Sequence, residues 1–308
     1  MARVSTTRGY KGRGDFILRP IAGGKPFNLG NVVSLNESIE VNRVSRQNYR
    51  DAAGGELDVE ETITGYTFEA VADDISPENI ALGFRGSSTQ LPSAAVADEP
   101  QQLWSEIPQA LNYIPDMDQT VTVVIAATAS HATDTDYAVG DLVIESARAY
   151  MAVVAGQSGS SAPSWPTDLS TVVDGGVTWK DLGPAALVKD TDFEVTPHGI
   201  RMMASQSARF YEELSIPVTC SYTRDAQYLV RALVDSGQEF YCEWHGLNSV
   251  DGGNPVVGRY FRIKFSPTSG FGRHGGDDFA QLTLSGTVLF DESREGVGVS
   301  KYSEISMI

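Results

Sequence analysis

The chain of 308 residues is 41% hydrophobic and 20% charged, enough apolar material for one large or two modest cores and too much for a disordered chain. Its net charge of −17 is unevenly spread, because residues 1–25 hold six bases against the single acid Asp15 and leave the rest of the chain at −22. That acidity disfavours nucleic-acid readout by the body, and the longest apolar stretch, at 121–127, is too short to cross a bilayer.

Residues 1–30 read as a basic, glycine-rich arm carrying Arg3, Arg8, Lys11 and Arg13, with no apolar segment behind them to make a secretory signal. Such an arm docks on something negative, the acidic body of another copy included, or is a disordered tail. Leu57, Val59 and Ile63 alternate as in a strand, and a second strand is expected at 66–70. A short helix follows at 75–84: Ser76 caps it, Pro77 takes the first position, Glu78 meets the dipole, and Ile75, Ile80 and Phe84 form its apolar face. Val121, Val123 and Ile125 make another half-buried strand. Between 131 and 184 the composition turns to Ser, Thr, Ala and Gly with turn clusters, the mark of a small β module inserted in a larger domain. The segment 225–234 fits a helix capped by Asp225 or a strand. Strand alternation returns at 260–265, with Phe261, Ile263 and Phe265 opposed to Tyr260, Arg262 and Lys264, and at 280–290, with Leu282, Leu284, Val288 and Phe290 on one face. The half-buried faces predict a mainly β fold, a sandwich or barrel with one flanking helix. Cys220 and Cys242 are expected as buried free thiols, although both lie in strands and a pairing is open.

Signals for chemistry are weak. Gly270-Phe271-Gly272-Arg273-His274-Gly275 has the spacing of a dinucleotide loop but precedes a strand where the motif needs a helix. The four histidines are scattered singly, without zinc-ligand spacing, and Asp134-Thr135-Asp136 lacks the glycine and distal glutamate of a calcium loop. No nucleophile elbow is present, and Asp73-Asp74, Glu60-Glu61 and Asp277-Asp278 are neighbours that point to opposite faces of a strand. The expectation is a protein without catalytic residues, cofactor or metal.

The order of these elements resembles a known family. The basic arm, the strands at 57–63 and 66–70, the Ser76-Pro77-Glu78-Asn79-Ile80-Ala81-Leu82 helix start, Thr191-Asp192-Phe193-Glu194-Val195 with Gly199-Ile200, Gly246-Leu247-Asn248 with Asn254-Pro255-Val256-Val257, and the two closing strands are similar to the major tail tube proteins of long, non-contractile bacteriophage tails, those of Mu-like siphophages of pseudomonads in particular. The likeness covers 1–130 and 185–308. It implies a β domain at 31–130 and 185–290, an assembly arm at each end (1–30 and 291–308), and hexameric rings stacked into a hollow tube in the virion, assembled in the host cytoplasm. Tape measure, tail terminator and distal tail proteins are the implied partners, and DNA passes through the lumen without sequence-specific binding. Asp58, Glu60, Asp277 and Asp278 are candidates for an acidic lumen wall.

The insert at 131–184, with Tyr137, Tyr150, Trp165 and Trp179, resembles small carbohydrate-binding modules of the chitin-binding type. That likeness implies stacking of Tyr137, Trp165 and Trp179 on sugar, against their use as the module's own core. Two rival readings follow: a tail tip or baseplate protein adhering to host glycan, and a secreted carbohydrate-active enzyme with an accessory module.

Overall fold

The alternating pattern becomes antiparallel sheet throughout a computed structural model that describes residues 9–50, 52–127, 130–203, 209–210, 215–250, 252–268, 270–273 and 279–308. The fold is mainly β, with one helix among the described residues. Residues Gln90–Gln227 form one compact unit and the segments on either side form another. The chain crosses between them along Ser87–Leu91 and returns along Gln227–Arg231, and these strands pair with each other. The ambiguous 225–234 segment is therefore a strand, decided by a partner that lies far away in sequence.

The flanking unit is one eight-stranded sheet. From the N-terminal side come β1 (Gly12–Pro20), β2 (Phe27–Asn28), β3 (Val32–Gln47) and β4 (Glu56–Ala72). Across the sheet, β2 and β1 are followed by Glu239–Asn248, Asn254–Phe265, Leu282–Val288, β4 and finally β3. The sheet curls until Phe16 of β1 stacks on Phe68 of β4, ring centroids 5.1 Å apart, around a core that includes Leu18, Phe240, Tyr260 and Phe265. Leu282, Leu284 and Val288 point inward as their spacing predicts, whereas Phe290 lies beyond the strand end and is 43% exposed.

Three expectations are corrected here. The described parts of both terminal segments belong to the sheet and are not free arms: β1 pairs with Glu239–Asn248 along its whole length and buries Phe16 and Leu18, and Ser303–Met307 pairs with the first half of Asn254–Phe265. Their mixed sequences hid this, since each borrows its apolar neighbours from distant strands. Tyr260, grouped with the polar face, is buried together with Phe261 and Ile263, because an irregularity opposite Tyr241 inserts a residue and reverses the facing. The helix (α1, Pro77–Gly83) is capped as predicted, Ser76 Oγ accepting from Asn79 N at 3.1 Å, yet it docks through Asn79, Ala81 and Gly83 and not through Ile80 and Phe84. A Cβ on Gly83 would stand 3.1 Å from Leu282 and 3.3 Å from Leu284, so the glycine sets the distance between helix and sheet.

In the Gln90–Gln227 unit, Thr122–Ile125 lies between Ala186–Leu187 and Ile216–Arg224, with Ala94–Leu103 beyond, and Val121, Val123 and Ile125 are buried as expected. A second four-stranded sheet orders Leu142–Glu145, Arg148–Val154, Val177–Pro184 and Thr171–Asp174. Arg148–Val154 is buried on both faces. Tyr150 and Ala152 join Tyr137, Val143, Val177 and Trp179 in one core, while Ala149 and Met151 join Leu142 and Leu182 in the core shared with Leu103, Val123, Phe193 and Val218. The 131–184 segment thus shares one of its two cores with the rest of a larger unit, which corrects its reading as a separate module. Cys220 and Cys242 are free and buried, and burial raises both thiols, that of Cys220 to about 12.

Candidate functional site

The feature that the flanking unit does not use for its own core is the far half of the β3–β4 hairpin. Near its root the hairpin is anchored: the hydroxyls of Tyr66 and Tyr260 both donate to the Glu37 carboxylate, and Tyr66 Oη lies 3.0 Å from Ser303 Oγ. Burial, then the Glu37 carboxylate, pushes the Tyr66 hydroxyl up to about 12. Beyond Tyr66 the strands run on into solvent, exposed on both faces.

Register sorts the two faces. Val41 opposes Ile63, Arg43 opposes Glu61 and Ser45 opposes Val59, so these share a face with Leu57. Asn42–Thr62, Val44–Glu60 and Arg46–Asp58 occupy the other. On the first face Leu57 is 54% and Ile63 58% exposed, an apolar surface interrupted by the Arg43–Glu61 pair and bordered at Ile63 by Ser300, Tyr302 and Ser303. Both edges are open as well: among the described residues β3 has no partner on its outer side, and Leu282–Val288 pairs with β4 only from Thr67 to Ala72. The β3 side carries Arg43 and Arg46, and the β4 side Glu56, Asp58, Glu60 and Glu61. Arg43 meets Glu56 at 2.5 Å and Glu61 at 3.7 Å within the hairpin. Two unpaired edges with unlike charge form a template for strand addition.

Of the residues singled out in the sequence, Asp58 and Glu60 sit together on the polar face of this hairpin and are exposed. Asp277 and Asp278 lie outside the described residues, as do Arg3 and Arg8. Lys11 and Arg13 are tied to the sheet: Lys11 N donates to Asn248 Oδ1 at 3.1 Å, its carbonyl accepts from Ser249 N, and Arg13 pairs across from Leu247. The glycine-rich 270–273 segment sends Phe271 back to bridge Leu282 and pack on the sheet core, and among the described residues that follow it the next element is the Leu282–Val288 strand. The sequence reading missed the Val32–Gln47 strand with Arg43 and Arg46, and with it the hairpin's length and two-sided exposure, because Leu57, Val59 and Ile63 have the spacing of a buried face.

Of the two readings of the 131–184 aromatics, Tyr137 and Trp179 follow the core reading, and Trp165 packs against that core. Trp179 is fully buried and Tyr137 is 6% exposed, with Trp165 half-buried against Tyr150 at 4.4 Å between centroids. Behind them Asp174 accepts from His131 Nε2 at 2.9 Å, Trp179 Nε1 at 3.1 Å and Gly159 N at 2.9 Å. Burial alone would raise the Asp174 carboxyl, but His131 and the two N–H donors outweigh it and hold the group below the usual carboxylate range. A carboxyl depressed on folding adds stability above its unfolded pKa, near 4, and that stability is lost as pH falls through the folded value. Asp174→Asn is therefore expected to lower stability at pH 7 by about 1–3 kcal/mol and to flatten the acid limb, as read by urea unfolding at pH 7 and pH 3. An unchanged difference between the two pH values would contradict it.

The chain belongs to the family described as Protein of unknown function UCP028589, whose model matches residues 9–157 and 166–306. The match runs through most of 131–184, so that segment is part of what the family shares. No curated protein matches the chain.

Proposed function

We propose that this member of a family of unknown function is a structural, non-catalytic subunit that assembles with copies of itself into the stacked rings of a phage-type tail tube. The observation that supports this most is the hairpin with an exposed apolar face and two open edges of unlike charge. The acidic β4 edge of one copy fits the β3 edge of the next, which carries Arg46, and because the two edges differ, the contact is heterologous and repeats around a ring. In such a ring the apolar face of each hairpin is turned to protein and the polar face, with Asp58 and Glu60, to the channel.

An acidic wall suits passage of duplex DNA, which carries one negative charge per about 1.7 Å and is held by exposed Lys and Arg. The subunit then resides in the virion tail, with tape measure, terminator and distal tail proteins as its other partners. The adhesive alternative loses its main support, since Tyr137 and Trp179 have no face to offer a sugar.

Negative-stain microscopy of the purified chain tests the proposal. Rings or tubes are the expected result; monodisperse monomers across a range of salt and concentration would overturn it.

A further inference from the structure

A cavity of about 370 Å3 in the flanking unit is bordered by β1 and β3, a size within the range of small-ligand sites, about 300–1,000 Å3. Trp244 makes one wall. In register it lies between Phe16 and Gly258, and its ring rests on glycine: a Cβ would stand 2.8 Å from the indole at Gly12 and 2.3 Å from it at Gly246. The sequence omits two side chains there, so a large ring lies flat on the sheet. Tyr10 stands against it, ring centroids 6.3 Å apart at 71°, and the buried Phe16 and Tyr260 border the cavity's inner side.

The cavity holds one fixed charge. Glu37 borders it, and each of its carboxylate oxygens accepts a tyrosine hydroxyl, from Tyr66 and from Tyr260. Among the described residues Glu37 has no cationic partner. Arg13, the one base among the described residues at the border, alternates with Gly12 and Gly14 and so turns its side chain to the opposite face, across from Leu247. At the mouth Val33, Ile305 and Met307 are each more than half exposed, an apolar rim left in water.

We infer that this cavity binds an alkylated ammonium ion, with the cation between the Trp244 face and the Glu37 carboxylate and its alkyl groups against the apolar rim. An aromatic face attracts a cation through the ring quadrupole, and tryptophan does so best. The state of Glu37 selects the kind of cation. A primary ammonium or a guanidinium brings several N–H groups that need acceptors, and both Glu37 oxygens are already engaged. An ammonium whose hydrogens are replaced by alkyl groups needs only charge and apolar contact. The site lies within the flanking unit and does not rest on the self-assembly proposed above.

Calorimetric titration of the full chain with choline tests this, beside dimethylbutanol, the neutral isostere in which carbon replaces the charged nitrogen. Choline is expected to bind one per chain, and the alcohol about tenfold more weakly. Trp244→Leu, which keeps an apolar side chain on the glycine bed, is expected to weaken choline about tenfold while circular dichroism shows the fold kept. Glu37→Gln, which retains an acceptor for the tyrosines, should weaken it as well. Phosphatidylcholine vesicles that carry the chain on flotation would identify the cation as a lipid headgroup, and choline binding without flotation a soluble ion. Equal affinity for the alcohol, choline binding unaffected by Trp244→Leu, or no saturable heat at millimolar choline would overturn the site. So would binding that emerges only in a chain lacking residues 1–8, which would assign the cavity to Arg3 or Arg8 of the chain itself.

Discussion

A chain in which residues 132–183 are replaced by a short Gly/Ser linker is expected to lose the folded Gln90–Gln227 unit. The replacement removes Leu142, Met151 and Leu182 from a core they share with Leu103, Val123 and Phe193. Each such side chain contributes about 1.5–3 kcal/mol by burial, before the cost of the void left behind. It also takes from Arg209, which is 8% exposed, one of its three acceptors, Leu182 O at 2.6 Å, leaving Pro184 O at 3.0 Å and Asp192 Oδ1 at 2.5 Å. Together these losses approach the whole stability of a domain, about 5–15 kcal/mol. Amide hydrogen exchange decides the matter: the Ile216–Arg224 strand should lose its protection, while β1 and Asn254–Phe265 keep theirs. Persistent protection in Ile216–Arg224 would mean that 131–184 is a dispensable module after all.

That error of reading has a physical origin. Composition marks 131–184 as different because its turns are rich in glycine and serine, but composition does not show which residues a strand buries on its second face. Ala149 and Met151 alternate with Tyr150 and Ala152, so the stretch 149–152 is apolar throughout and looks like any small core. The fixed points of the fold were legible where the determinants are local: Ser76 and Pro77 place the helix start, and Leu282, Leu284 and Val288 place a strand and its inward face. Pairings across long separations were not. β1 joins Glu239–Asn248 more than 220 residues away, and the buried partnership of Arg209 with Asp192 has no spacing that announces it. The candidate interface was half legible. Asp58 and Glu60 were picked out as candidate wall acids, and the apolar alternation of Leu57, Val59 and Ile63 was found, but whether an alternating strand covers a core or waits for another molecule depends on what packs against it.

The substitution Val59→Lys with Ile63→Lys is expected to abolish assembly while leaving the subunit folded. Both residues lie on the exposed face of the hairpin, 39% and 58% exposed, so the isolated chain should change in stability by no more than about 1 kcal/mol in all, about 0.5 kcal/mol for each substitution. In the proposed ring the same two positions would be buried. There the loss of two apolar side chains costs about 3–6 kcal/mol per contact, before the added penalty of burying the lysines, and each 1.4 kcal/mol is tenfold in association. Sedimentation velocity with thermal unfolding separates the two effects, and a monomer with an unaltered transition is the expected pair of results. The opposite face supplies the control. Asp58→Asn with Glu60→Gln leaves Val41, Leu57, Val59 and Ile63 untouched, so rings should still form, and with a less acidic polar surface they should retain duplex DNA more strongly at low salt, where screening is weakest. Tubes from the lysine variant together with monomers from the amide variant would reverse the assignment of faces, placing the carboxylates at the contact and the apolar residues toward the channel.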